Sequence, residues 1–127
     1  MKRHREQDTV TAILAFLRAH HIPVWRMNTG ATKIGGRFIR FGSPGMADIL
    51  GIWPKELTRV TGAKPLLEPF GRFLAIEVKS ATGRLTPQQL AFKAQVELAG
   101  GFWCMARSVN EVAEQFGFLT PGTRRAS

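Results

Sequence analysis

Glu77 and Lys79 are the first residues in this chain whose types and spacing indicate chemistry. They stand two positions apart in Phe73–Ser80, a run that is otherwise mostly apolar and typical of an interior β-strand. Side chains alternate faces along a strand, so both charges lie on one face and the aliphatic residues between them lie on the other. Two charges on a buried strand cost free energy unless they are paired or used. The pair is therefore either a structural ion pair or part of a reactive site.

A second carboxylate, Asp48, begins another predicted strand, after the 42–45 segment Gly-Ser-Pro-Gly, which would let the backbone approach a ligand closely. If the two strands are neighbours, Asp48, Glu77 and Lys79 converge at one edge of the sheet. Carboxylate oxygens suit Mg²⁺ or Mn²⁺, which bind through one or two carboxylates and a substrate phosphate. Such a cation polarises a phosphoryl group and lowers the pKa of bound water, and Lys79 could orient that water or stabilise phosphoryl oxygens. This combination predicts phosphodiester hydrolysis.

Two further polar residues, Glu6 and Gln89, could belong to the same site. Glu6 lies four residues before Val10, on the core-facing side of a predicted helix. The alternative is an acidic residue that the helix macrodipole favours at an N-terminus. Gln89 stands three residues after Thr86 in a Thr-x-x-Gln capping box, so helix capping also explains it.

The elements that would position these residues follow from apolar periodicity and from the positions of glycine and proline. Residues 54–71, rich in proline and glycine, are expected to be a long loop or an irregular hairpin inserted before the central strand. We expect an α/β fold in which a mixed sheet of about five strands is flanked by helices. Residues 1–119 form one domain in this interpretation, and 120–127 a disordered tail. The predicted helices are 6–20, 87–99 and 109–116, and the predicted strands are 22–28, 37–41, 48–53, 73–80 and 101–106.

The charge of the chain indicates a polyanionic partner. Lys and Arg number 18 against nine Asp and Glu, which gives a formal net charge of +9. Nucleic acid is favoured over an anionic membrane because no basic amphipathic helix and no apolar run of membrane-spanning length is found. The N-terminal sequence does not resemble a signal peptide, so we expect an intracellular protein that is not secreted. The single cysteine, Cys104, excludes an internal disulfide and is expected to be a buried, reduced thiol.

Several polar residues are candidates for contacts with DNA. Lys33, Arg37 and Arg40 make the region around the 37–41 strand basic and could contact phosphates, although charges on an edge strand also discourage aggregation. The full candidate set is Arg26, Asn28, Lys33, Arg37, Arg40 and Arg84.

The candidate residues and their neighbours occur in a characteristic order. The order is Glu6, then Gly45-Met46-Ala47-Asp48, then Glu77-Val78-Lys79, then Leu85-Thr86-Pro87-Gln88-Gln89. This set resembles the PD-(D/E)xK nuclease superfamily, and more narrowly the virus-type replication-repair nuclease (VRR-NUC) domain. The segment Trp25-Arg26-Met27-Asn28-Thr29-Gly30 also fits that family, and the resemblance extends from about residue 5 to 107. One position departs from the family, which usually has proline where this chain has Ala47.

The resemblance implies a restriction-endonuclease-like core and a role for each matched residue. Asp48 and Glu77 would be metal ligands, with the backbone carbonyl of Val78 completing the protein ligands. Lys79 would act on the water and the transition state. Glu6 would support the metal, possibly through water, and Gln89 would position Lys79 or the phosphate.

These observations favour an Mg²⁺- or Mn²⁺-dependent DNA endonuclease acting on branched or structured DNA. The resemblance extends to viral junction-resolving enzymes, which implies a Holliday-junction resolvase of bacterial or phage-infected cytoplasm that acts in replication, repair or recombination. Symmetric cutting of two strands would need a homodimer. Two alternatives stay open: a non-catalytic basic DNA-binding module, and a restriction-type nuclease or nuclease subunit directed by a partner protein.

Overall fold

The computed structural model describes residues 2–27, 30–41, 43–61 and 64–118. The predicted disordered tail 120–127 and the candidate DNA contact Asn28 lie outside these ranges. The described residues form three helices and six strands, numbered here in chain order. These are α1 (Lys2–Ala19), β1 (Val24–Arg26), β2 (Gly30–Ile34), β3 (Arg37–Phe41), β4 (Ile49–Thr61), β5 (Lys64–Val78), α2 (Pro87–Leu98), β6 (Phe102–Ala106) and α3 (Val109–Phe116).

The central sheet is mixed and has the strand order β1-β4-β5-β6. β4 pairs antiparallel with β1 and with β5, whereas β5 and β6 are parallel and are joined through α2. The predicted α/β fold, with a mixed sheet, flanking helices and one parallel crossover, is confirmed.

The sheet contains four strands instead of the expected five. The predicted 37–41 strand, β3, pairs with β2 in a separate two-stranded sheet, with Ile34 opposite Arg37. Gly35 and Gly36, at φ +58° and +82°, form the two-residue turn between them. Such a turn returns the chain directly onto the preceding segment, so β3 pairs with its sequence neighbour. The strand β2 was not predicted.

The 54–71 segment, expected to be a long loop or an irregular hairpin, is a hairpin in its described part, because residues 54–61 continue β4 and residues 64–71 begin β5. Its three prolines suggested a loop because proline cannot donate a ladder hydrogen bond. The Ile52 N–H, however, donates to Pro23 O at 3.0 Å and so points away from β5. Each proline belongs to a residue pair that lies an even number of positions from the pair formed by Ile52. The proline nitrogens therefore also face the outer edges of the hairpin, where no hydrogen bond between β4 and β5 is lost. Their pairs are Pro54↔Gly71, Glu56↔Pro69 and Val60↔Pro65.

The two faces of the sheet carry separate apolar clusters. Leu74 and Ile76 of β5 lie on the face covered by α1 and α3, as the alternation along the strand predicted. On the other face, Ala75 packs with Val96 of α2 and with Trp103. Cys104 is buried as expected, and burial raises the pKa of its thiol to about 12. Among the described residues, no helix is both long and apolar enough to cross a membrane.

Candidate active site

The pairing of β4 with β5 brings Asp48 and Glu77 together. Ile49 is paired with Ile76, so Asp48, one residue earlier, lies opposite Glu77, one residue later. The Asp48 Oδ2 atom accepts a hydrogen bond from the Val78 N–H at 2.8 Å. Burial raises the pKa of Asp48, and the Val78 N–H opposes that rise. The two carboxylates that the sequence singled out are therefore neighbours.

Asp48 is positioned from both sides. Its carbonyl accepts a 2.7 Å hydrogen bond from the Met27 N–H, beyond the end of β1. Ala47, which stands where the VRR-NUC family usually has proline, is fully buried in the cluster under α2. Gly45 adopts φ +83°, and a Cβ there would lie 2.2 Å from the Gln88 carbonyl oxygen. Gly45 therefore lets the chain approach the first turn of α2, and the expected close approach of this segment to a ligand stays a prediction.

Glu77 is a carboxylate buried among polar neighbours, with only 4% of its surface exposed. Its Oε1 accepts a hydrogen bond from Gln89 Nε2 at 2.7 Å and lies 3.8 Å from Lys79 Nζ. Its Oε2 is buried and has no hydrogen-bond partner among the described residues. Burial, and then the charge of Asp48, raise the pKa of Glu77 to about 8, although the Lys79 ammonium opposes the rise.

Gln89 fills both roles between which the sequence did not decide. Its Oε1 accepts from the Thr86 N–H at 2.9 Å, and its own N–H donates to Thr86 Oγ1 at 3.1 Å, which completes the capping box of α2. The amide nitrogen of the same side chain donates to Glu77. Within the described contacts, Gln89 therefore orients Glu77. Its implied role in positioning Lys79 or the phosphate stays a prediction.

Lys79 and Glu6 lie just beyond the end of β5. The Lys79 N–H donates to the Ala106 carbonyl at 3.0 Å, so the parallel pairing with β6 continues to Lys79. Glu6 Oε1 accepts from the Ser80 N–H at 3.0 Å, and this bond ties α1 to the strand end. The negative charge of Glu6 also contributes to the raised pKa values of Asp48 and Glu77. The core-facing placement of Glu6 is thus explained by a contact with the site.

Arg107 is a site neighbour that the sequence analysis missed. Its guanidinium donates to the carbonyls of Ser80 and Gly83, both at 3.1 Å, and to the sulfur of Met105 at 3.3 Å. It thereby fixes the turn that follows Lys79. The signal that could have found it is its position directly after β6, because parallel strands end at the same edge of a sheet.

The candidate DNA contacts lie in three places. Arg26 donates to Thr11 Oγ1 at 2.6 Å, and its positive charge opposes the rise in the pKa of Asp48, so it belongs to the surroundings of the site. Lys33 lies in β2, and Arg37 and Arg40 in β3, within the separate two-stranded sheet. Arg84 is exposed between β5 and α2.

The donor atoms at Asp48 and Glu77 fit a hard divalent cation. In the described part of the chain, no three His, Cys, Asp or Glu side chains form a metal-binding group. Mg²⁺ requires only one or two carboxylates, however, because it keeps several waters and takes substrate phosphate oxygens. Glu77 Oε2 is a buried oxygen without a hydrogen-bond partner among the described residues. The Val78 N–H donates to Asp48, and the carbonyl of the same strand residue faces the same edge of β5. A cation here would offset the burial and repulsion that raise both pKa values.

The site therefore combines the adjacent carboxyl groups of Asp48 and Glu77 with two polar neighbours of Glu77. These neighbours are the Lys79 ammonium group, at 3.8 Å, and the Gln89 amide, which donates to the Glu77 carboxyl group. Groups of this kind can hold a divalent cation and stabilise negative charge on phosphoryl oxygens. In comparisons with known proteins, no family model, curated protein or solved structure matches this chain.

Proposed function

We propose that this chain is an Mg²⁺- or Mn²⁺-dependent deoxyribonuclease that hydrolyses phosphodiester bonds in branched or structured DNA. The observation that carries the proposal is the pair Asp48 and Glu77 beside Lys79, with a buried, unpartnered Glu77 oxygen. The net charge of +9 supports a polyanionic substrate. The four-stranded sheet with its flanking helices is compatible with the restriction-endonuclease-like core of VRR-NUC domains.

Each residue of the site has a defined part in this proposal. Asp48, Glu77 and the Val78 carbonyl would hold the cation, which when bound polarises the phosphoryl group and lowers the pKa of a water molecule. Lys79 orients the attacking water or donates to phosphoryl oxygens as negative charge develops. Gln89 keeps the Glu77 carboxylate in one orientation through its 2.7 Å hydrogen bond. Glu6 holds the backbone at Ser80 and so fixes where Lys79 stands.

The substrate in this proposal is recognised by shape and charge. Contacts to phosphates position a protein on DNA without reading its sequence. The basic residues of the two-stranded sheet, Lys33, Arg37 and Arg40, are the proposed phosphate contacts away from the site. A homodimer with two such sites could cut a four-way junction symmetrically, as viral-type junction-resolving enzymes would.

Cleavage of a four-way junction by the purified protein tests this function. Wild type is expected to cut with Mg²⁺ or Mn²⁺ and not with EDTA. Lys79→Ala is expected to lower the cleavage rate by about 100-fold or more, as removal of a charge-stabilising donor does, and to weaken junction binding by no more than about tenfold, the loss of one phosphate contact. The matched control is Lys93→Ala, since Lys93 is paired with Glu97 at 2.9 Å on α2.

Three results would contradict or redirect the proposal. If Lys79→Ala cuts at the wild-type rate, the site is wrong. If wild type binds DNA in a salt-dependent way but gives no product with any divalent metal, the chain is a non-catalytic binding module. Cleavage confined to one sequence in linear duplex DNA would indicate a restriction-type nuclease.

A further inference from the structure

A cavity of about 410 Å³ opens beside Lys79, on the α1 side of the candidate active site. This volume lies in the range of ordinary ligand pockets, which is roughly 300–1,000 Å³. Lys79 and Glu6 belong both to the cavity wall and to the site, so a molecule held in the cavity would adjoin the reacting groups. The charged and polar wall consists of Arg5, Glu6, Thr9, Lys79, Ser80, Thr82 and Arg107.

The wall of this cavity is predominantly positive. Three cations, Arg5, Lys79 and Arg107, line it together with one carboxylate, that of Glu6. One oxygen of that carboxylate is already held by the Ser80 N–H. The described hydrogen bonds of the Arg107 guanidinium go to neutral acceptors, two carbonyls and a thioether. The neighbouring Glu111 carboxylate accepts from the Arg107 backbone N–H at 2.8 Å. The cavity is therefore suited to an anion.

The residues of the cavity wall indicate which part of a nucleotide could bind there, the base or the phosphate. Proteins hold unpaired bases by stacking them on aromatic rings, and no aromatic side chain is among the residues that line the cavity. Arginine, lysine and hydroxyl groups are the usual partners of phosphate oxygens. The residues present fit a phosphate with its sugar and do not fit a stacked base.

We propose that this cavity anchors a second phosphate of the DNA, apart from the phosphate that reacts at Asp48 and Glu77. The inference rests on the proposed nuclease function for its substrate. When a DNA strand is held at this second phosphate, one particular phosphodiester bond of that strand lies beside Lys79. The cavity thereby determines where the strand is cut. The anchored group is a phosphodiester within the strand or a phosphate at its end.

Thr9→Glu tests the anchor by placing a carboxylate in the cavity. Ala15→Glu is the matched control, because it makes the same change of charge at an exposed position on the same helix, outside the cavity. Arg5→Gln is a second cavity variant, which removes a cation and adds no new charge. Circular dichroism and thermal melting establish that all three variants are folded.

Binding is measured in EDTA by fluorescence anisotropy, so the readout does not require cleavage. The probes are four-way junctions with a single neutral methylphosphonate at each position around the cut, and junctions with or without terminal phosphates. We expect Thr9→Glu and Arg5→Gln to weaken binding about tenfold relative to Ala15→Glu. When the phosphate that occupies the cavity is neutralised or removed, the affinity of wild type for the junction should fall by a similar factor. The affinities of the two cavity variants should fall by much less.

The outcomes separate the anchor from the nuclease. If wild type binds and shows this pattern but never cuts, the nuclease proposal fails and the anchor stands. If Thr9→Glu binds as Ala15→Glu does, or if every phosphate matters equally to wild type and the cavity variants, the anchor is wrong even when cleavage is robust. An effect confined to terminal phosphates supports the anchor and identifies its ligand as a phosphomonoester.

Discussion

At the scale of single residues, ionisation of Glu77 costs free energy because this carboxyl group is buried next to Asp48. The pKa of this carboxyl, raised to about 8 by burial and by Asp48, implies that Glu77 is protonated in the metal-free protein at neutral pH. A folded state that keeps the proton to higher pH than the unfolded chain is favoured at low pH. Its stability is therefore greatest below the ordinary pKa of 4.5 and declines as the pH rises through about 8.

The raised pKa values of Asp48 and Glu77 make the stability of the fold depend on pH. In EDTA, the free energy of unfolding of wild type should fall by a few kcal/mol between about pH 5 and pH 8.5, because Asp48 and Glu77 both have raised pKa values. Glu77→Gln cannot ionise and should lose most of this slope. Urea denaturation at the two pH values measures both proteins, with Glu97→Gln as an exposed control. Equal slopes in wild type and Glu77→Gln would contradict the burial argument.

The residues of the site differ in how visible they are from the sequence. Glu77 and Lys79 can be recognised from the sequence because the alternation of side chains along a strand involves only neighbouring residues. Asp48 can be recognised because it stands at the start of a predicted strand. The bond from Gln89 to Glu77 and those from Arg107 to Ser80 and Gly83 join separate elements. They depend on how α2 and β6 dock, and no local pattern encodes that.

At the scale of elements, the N-terminus of α2 combines helix capping with positioning of Glu77. Thr86→Ala removes one capping oxygen, and Gln89→Ala removes the other together with the donor to Glu77. Each change should destabilise the fold by about 1 kcal/mol, as the loss of a cap does.

Only Gln89→Ala should also impair cleavage. We expect its rate with Mg²⁺ to fall by about tenfold or more relative to Thr86→Ala, which should remain within about threefold of wild type. Parallel assays of junction cleavage and urea denaturation measure the two effects. If both variants lose activity to the same extent, Gln89 acts only as a cap.

Gly45 tests how closely the segment before β4 must approach α2. Gly45 and Gly36 have nearly equal φ angles, +83° and +82°, but a Cβ would meet the Gln88 carbonyl only at Gly45. Both alanine variants carry backbone strain of about 1 kcal/mol. Gly45→Ala should cost at least about 1–2 kcal/mol more, since backbone must shift to admit the methyl group. Similar unfolding free energies for the two variants would show that the approach is not required.

The elements themselves were largely predictable. Apolar periodicity located the first helix, and capping boxes with the glycines that follow them located the other two. The strand-helix-strand order then predicted the parallel β5–β6 unit. Periodicity did not distinguish a loop from a hairpin at residues 54–71, because three prolines resemble a loop unless the outward direction of their nitrogens is known. It also failed for β2, whose partner depends on the turn at Gly35 and Gly36.

At the scale of the whole molecule, the positive charge should control affinity for DNA. With a net charge of +9 and about four or more phosphate contacts, binding in EDTA should weaken by at least about 100-fold between roughly 50 and 200 mM salt. Lys79→Ala should lower the slope of log affinity against log salt by no more than about one contact. Anisotropy titrations measure both slopes. Affinity that hardly changes with salt would mean that the cations do not meet phosphates.

The central claim is that Asp48 and Glu77 hold a divalent cation, and a crystal structure of the protein with Mn²⁺ tests it most directly. An anomalous difference map should show a peak between Asp48 and Glu77, in contact with the Val78 carbonyl. The same map for Glu77→Gln should lack the peak. Wild-type crystals with saturating Mn²⁺, an ordered site and no anomalous density between these two carboxylates would show that Asp48 and Glu77 do not hold a divalent cation.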